Sequence, residues 1–267
     1  MVPTSSRTGH GSGIRGSGAE WLGGWWRIVH LGARVMVLAL SPSTYARANR
    51  QALARHLYLS TAPLLLWFTV LSSLISLVLI RIVVVTAQSY GLSQYALQMV
   101  VRVLVLELIP LTAAIFVTLR VALPNGNEIA ALRAYGQLDE LRRQGVDPLA
   151  REVLPRVLAG MFAVLALAAV SGVVTLVLAY LSVYGFVSGG FDQYTRTVGH
   201  IFHPAVTLVF VLKTYFLSLA VALIPIGALL YDTPRPRSRA SAEIHVLVRL
   251  FLVILLIEAV SLVGNYY

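Results

Sequence analysis

Long apolar runs alternate with short polar ones along most of the chain. APLLLWFTVLSSLISLVLI opens the first run at residue 62, and it continues to about Ser89. Further runs cover about 95–120, 157 onward, 205–230 and 244–265. Each is near the ~20 residues that a helix needs to cross ~30 Å of hydrocarbon. Tyr90-Gly91-Leu92-Ser93 reads as a short uncharged turn between the first two. Residues 19–41 are different, because they mix Trp21, Trp25 and Trp26 with Arg27, His30 and Arg34. That mixture predicts an amphipathic helix in the membrane interface; the rival is a short first span, which Arg27 and Arg34 interrupt. The expected fold is an all-α membrane protein: an N-terminal interfacial helix, then five transmembrane helices. A Gly/Ser-rich tail is expected at 1–18, an interfacial helix and basic elbow with Arg47, Arg50 and Arg55 at 19–61, and the membrane domain at 62–267. The apolar piece 35–40 lacks a following small-residue cleavage site, so no cleavable signal peptide is expected.

Composition agrees. The 267 residues are 58% hydrophobic and 12% charged, against about 25% charged in soluble domains. The net charge of +10 comes from arginines, with Lys213 the single lysine. These charges flank apolar segments, so they read as basic membrane edges and no nucleic-acid partner is expected. Cysteine is absent, which removes disulfides and thiolate metal sites. The arginine-rich stretches are the elbow, 125–156 and 231–243, whereas the turn near 90 is uncharged and 186–203 holds one arginine. Positive-inside counting places the N-terminus in the cytoplasm and the C-terminus outside.

Charged residues within spans default to function, because lipid penalises them. They are Arg81, Arg102, Glu107, Lys213 and Glu258. At ~1.5 Å per residue from the outer span ends, Arg81, Arg102 and Glu258 lie roughly 10 Å deep, Lys213 roughly 14 Å and Glu107 roughly 18 Å. All five fall in the outer half, which predicts a polar-lined pocket for an amphiphile, with Glu107 near its floor. The rival is ion pairs that join helices, with arginines reaching back to the surface; for Arg81 and Arg102 both readings stay open.

Several chemistries find no support. Lys213-Thr214 has no glycine-rich turn before it, and the glycines at 11, 13, 16 and 18 follow no strand, so a P-loop is not expected. His200 and His203 have metal-ligand spacing but no third ligand, and no metal is expected. Neither G-x-S-x-G nor H-E-x-x-H occurs. The chain is expected not to be an enzyme and to carry no cofactor of its own.

The densest charge lies in NGNEIAALRAYGQLDELRRQGVDPLAREVLPR, residues 125–156, which holds 5 of the 11 acidic and 5 of the 21 basic residues. Asn125-Gly126-Asn127 reads as a helix start and Gly145 as a stop, predicting a charged helix over 128–143 joined to a span at each end. It is either a solvated loop helix or a docking helix on which a cytoplasmic motor pushes.

Glu107-x-x-Pro110, Arg120, Glu128-Ile129, Arg133, Gln137-Leu138-Asp139-x-Leu141, Gly145-Val146-Asp147-Pro148 and Pro155-Arg156 occur in this order. The arrangement resembles the MlaE (YrbE) family, permease subunits of bacterial inner-membrane ABC transporters that move phospholipid or other lipids with MCE-domain proteins. The resemblance spans roughly residues 20–267, and the central block is its specific part. Lys213-Thr214-x-Phe216 is similar to the family's Lys-Ser-x-x-Phe, one residue tighter, and Glu258 stands where the family tends to be acidic. Ile109 and Gly136 depart from the family's usual glycine and glutamate. The resemblance implies a permease dimer, a periplasmic MCE protein, and a cytoplasmic ATPase subunit that binds the ATP and magnesium. It implies a lipid pocket between the permeases, with Glu107, Lys213, Glu258, Arg81 and Arg102 as candidates. For coupling to the ATPase the candidates are Glu128, Arg133, Gln137, Asp139, Leu141, Gly145 and Asp147. A proton-coupled secondary transporter and a non-transporting scaffold remain the rivals.

Overall fold

The computed structural model describes residues 13–41, 47–186, 188–231 and 239–266, and all its regular elements are helical. Helix α1 is Gly13–Leu40 and α2 is Arg47–Ser89. One continuous rod then contains α3 (Ser93–Val100), a π-helical stretch (Val101–Leu108), α4 (Ile109–Val117), a second π stretch (Thr118–Ala122) and α5 (Leu123–Ala134). Short α6 is Gln137–Arg143, and a third π stretch (Leu149–Val153) leads into α7 (Leu154–Tyr184). Helices α8 (Phe191–Ile201), α9 (Pro204–Tyr231) and α10 (Arg239–Tyr266) complete the fold.

Five helical stretches among the described residues are long and apolar enough to cross a membrane: Ala54–Ser89, Tyr95–Ala134, Leu149–Tyr184, Pro204–Tyr231 and Glu243–Asn265. Their outward faces are lined with large apolar side chains such as Trp67, Leu74, Val173, Leu255 and Val260, all well exposed. Such a surface is stable only in lipid, so the protein is a multi-pass membrane protein.

Lipid supplies no hydrophobic drive between helices, so close contact relies on small residues. On α2, Phe68, Ser72, Ser76, Ile80 and Val84 recur every fourth residue and are buried. This ridge lies along α7, which buries a stripe including Gly160, Ala163, Ala168, Ser171, Thr175 and Ala179. Inside the contact, the hydroxyls of Ser76 and Thr175 share a hydrogen bond of 3.0 Å. Helix α7 also packs on α4 and α9, and α9 on α10, which makes α7 and α9 the centre of the bundle.

Prolines explain the π stretches. Pro110, Pro124 and Pro155 each stand at the start of the helix that follows one. A proline has no N–H and its ring clashes with the carbonyl four residues earlier. A locally widened turn relieves that clash without ending the rod.

Several boundaries differ from expectation. Residues 13–18 belong to α1 instead of a tail, while 1–12 lie outside the described residues. The expected elbow is helix from Arg47 onward, continuous with the first span, because Ala, Arg, Gln and Leu dominate there and no breaker precedes Pro63; 42–46 lie outside the described residues. Asn125-Gly126-Asn127 starts nothing, since α5 passes through it. Gly126 is a packing residue: a Cβ there would lie 3.1 Å from the Pro225 backbone oxygen and 2.8 Å from Leu229 Cδ1. The helix expected over 128–143 is two helices, separated at Tyr135-Gly136, where Gly136 has φ +72° and precedes α6. The third span ends at Tyr184, and the expected loop at 186–203 holds α8. Part of the expected 231–243 loop is helix from Arg239, and 232–238 lie outside the described residues.

Candidate functional site

Three spans converge on Lys213, which is 3% exposed on α9. Its ammonium pairs with Glu107 from the first π stretch and lies 2.6 Å from Glu258 Oε2 on α10. It also donates to the Leu106 carbonyl at 3.3 Å. Leu106 and Glu107 thus present a carbonyl and a carboxylate one residue apart, and Lys213 takes both. Asn265 Nδ2 donates to the other Glu107 oxygen at 3.3 Å.

One cation faces two carboxyl groups, and polar capacity is left over. Glu258 Oε1, Ser261 Oγ and Asn265 Oδ1 are buried without a hydrogen-bond partner among the described residues. Their spacing, i, i+3 and i+7, puts them on one face of α10. The adjoining cleft is lined by Arg102, Leu106, Glu107, Val206 and Asn265, at the bundle end that also carries Gly91 and α8. Its volume is about 10 Å³, room for roughly one water. At this cleft a single chain therefore does not enclose the amphiphile-sized pocket expected from sequence. Arg102 is exposed at the cleft rim. Arg81 is exposed on α2 and makes no ion pair among the described residues.

The opposite, charged end is held by a second network. Arg156, at the start of α7, is 9% exposed; it pairs with Glu152 at 2.6 Å and reaches Glu128 on α5 at 3.5 Å. Asn127 Nδ2 donates to Glu243 of α10 at 2.8 Å. Arg133 donates to the Leu230 carbonyl, one of the last α9 carbonyls that lack an intrahelical donor. Arg133 thus caps α9.

Between Gly136 and Gly145, α6 is anchored through Leu138, buried among Leu31, Ile129, Val153 and Ile226. Gln137, Asp139, Glu140, Arg142 and Arg143 are exposed, while Leu141 is half-buried. Tyr135, 78% exposed at the corner, is a surface residue that the sequence reading passed over. Gly145, with φ +76°, ends the segment as expected. Asp147 Oδ1 accepts the Leu149 N–H at 3.0 Å.

At the cleft end, Tyr180, Tyr184, Phe191 and Tyr194 form an aromatic cluster that seats α8 on α7. Tyr194 Oη donates to the Leu176 carbonyl at 2.9 Å, and burial pushes its pKa up to about 12. His200 and His203 are exposed, and among the described residues no three His, Asp or Glu side chains converge as a metal site would need.

A bundle of five lipid-exposed spans with a buried ionic group and a charged helical corner is the architecture of a multi-pass membrane permease. Residues 53–263 match the family described as permease MlaE. The chain belongs to the MlaE permease family, a family of lipid-transporter permease subunits. No curated protein matches the chain.

Proposed function

We propose that this chain is the membrane subunit of an ATP-driven phospholipid transporter in the bacterial inner membrane. It works as one of two permease copies, with a cytoplasmic ATPase subunit that binds ATP and magnesium and a periplasmic MCE-domain protein. The N-terminus and the α5–α6 corner are cytoplasmic, and the Lys213 cleft opens to the periplasm. The observation that carries this reading is the Lys213, Glu107 and Glu258 group, beside a cleft that Glu107 and Asn265 line and that is too small for a lipid. A second copy placed against this cleft would enlarge it to lipid size. Arg102 at the rim then attracts a phosphate, and the unpaired Oδ1 of Asn265 takes a headgroup donor, while Lys213 holds the two carboxyl groups in place. Arg81 lies outside this cleft and is the weakest of the pocket candidates.

Coupling runs through Tyr135, Gln137, Asp139 and their neighbours on α6. This corner is joined to α7 by the Glu128–Arg156 contact and to α9 by the Arg133 cap. Movement of an ATPase against α6 is thereby passed to spans that carry the site.

The test is reconstitution. The chain is co-expressed with an ABC ATPase subunit and an MCE-domain protein from the same organism and purified in mild detergent. Transfer of fluorescent phospholipid from vesicles is then measured with ATP. ATP-dependent transfer that Lys213→Met abolishes is the expected result; transfer independent of ATP contradicts the reading. Two carboxyl groups sharing one ammonium also fit proton coupling. Transport that follows an imposed proton gradient without ATP selects that alternative.

A further inference from the structure

Helix α1 has three faces. Ile28, Leu31 and Val35 are buried against the bundle. Trp26, Val29, Val37 and Leu40 are large, apolar and exposed. Between these faces Arg27, His30 and Arg34 form a polar stripe at i, i+3 and i+7, all exposed. The stripe borders a cavity of about 430 Å³ between α1 and the Asp147–Leu149 turn, within the size range of ligand sites. Its wall is mixed: His30 and Arg34 on one side, Asp147 opposite, with Ala33, Val37 and Leu149 between. Arg34 makes no ion pair among the described residues, so its charge and that of Asp147 face the same cavity without meeting. Asp147 uses Oδ1 to hold the Leu149 N–H, and its second oxygen has no hydrogen-bond partner among the described residues.

We infer that this cavity binds the headgroup of a zwitterionic aminophospholipid, its phosphate on Arg34 and His30 and its ammonium on Asp147. An opposed cation and carboxylate match a dipolar headgroup, whereas a purely anionic one would meet Asp147 unfavourably. The exposed apolar side chains continue from the cavity along α1, and an acyl chain lies against Val37 and Leu40. The site is at the opposite end of the bundle from the Lys213 cleft. It rests on the chain being a membrane protein and not on the transport reading. In the lipid leaflet it would hold α1 against the turn that follows α6.

Native mass spectrometry of the full chain tests this, in detergent with equimolar dioleoyl phosphatidylethanolamine and dioleoyl phosphatidylglycerol. Wild type is expected to retain phosphatidylethanolamine about fivefold over phosphatidylglycerol, the discrimination of one exposed ion pair. Arg34→Gln should lower retention of both lipids. Asp147→Asn keeps an oxygen for the Leu149 N–H and should remove the preference between them. Lipid held at the Lys213 cleft is common to all three proteins and cancels in the comparison. Equal retention by wild type, or an unchanged ratio in Asp147→Asn, overturns the assignment. Glycerophosphoethanolamine has the headgroup without chains; if it displaces the lipid at equal concentration, the ligand is a soluble zwitterion and the lipid assignment fails.

Discussion

Lys213 donates to the carbonyl of Leu106 at 3.3 Å, while its ammonium pairs with the carboxylate of the next residue, Glu107. The bond joins α9 to the rod containing Glu107 and fixes where a buried cation sits among two carboxyl groups.

Removing that cation should be costly. Lys213→Met leaves Glu107 and Glu258 facing each other without a counter-charge, and breaking a buried pair this way costs about 3–5 kcal/mol. Adding Glu258→Gln should recover part of the loss. Thermal unfolding of the single and double variants in detergent measures both; equal losses in the two would show that Glu258 and Lys213 are not coupled.

At the charged corner, Glu128 is 61% exposed at its side chain and 3.5 Å from Arg156. Glu128→Lys replaces an attraction with repulsion at a solvated site, so the cost in stability should stay near 1 kcal/mol or less. The variant is expected to insert normally yet lose most lipid-stimulated ATP hydrolysis in the assembled transporter. Tyr135→Ala should weaken the ATPase interaction without changing the unfolding midpoint. Normal lipid transfer by Glu128→Lys would remove it from the coupling path.

Gly126 should not tolerate a side chain. Leu229 can rotate away, but the Pro225 backbone oxygen, 3.1 Å from an added Cβ, cannot. Gly126→Val is expected to destabilise by about 1–3 kcal/mol through overpacking. Gly23→Ala, with nothing within 4 Å of its new Cβ, serves as the control and should be neutral or slightly stabilising. Thermal midpoints of the two variants decide it.

The seating of α8 should depend on alkaline pH. Tyr194 has its pKa raised to about 12 by burial, against about 10 in an unfolded chain. The folded state therefore holds the phenolic proton more tightly. The stabilisation is complete below pH ~10 and is lost as pH rises through the folded value. The protection factors of α8 amides, the intrinsic base-catalysed rate divided by the observed exchange rate, should be flat below that window and fall within it. Tyr194→Phe should show faster exchange already at neutral pH, because the bond to Leu176 is gone.

Much of this protein was determined by local sequence. Each span announces itself as a run of apolar residues, because crossing hydrocarbon is a matter of summed transfer energy over consecutive positions. Gly91 and Gly145 mark turns because the left-handed backbone they adopt strains any other residue. Glu107, Lys213 and Glu258 stand out because charge inside an apolar run has no local explanation. The family motifs were likewise legible around the charged corner, and residues 53–263 match that family.

Tertiary structure decided the rest. Glu107 and Lys213 are 106 positions apart, and their pairing depends on how α9 lies against a rod widened before Pro110. Gly126 resembled a helix start, but α9 crosses so closely there that only a missing side chain fits. Arg133 caps the α9 C-terminus through the Leu230 carbonyl, a contact that no spacing in the sequence indicates. In each case the deciding partner belongs to another helix, and a sequence carries no distance between helices.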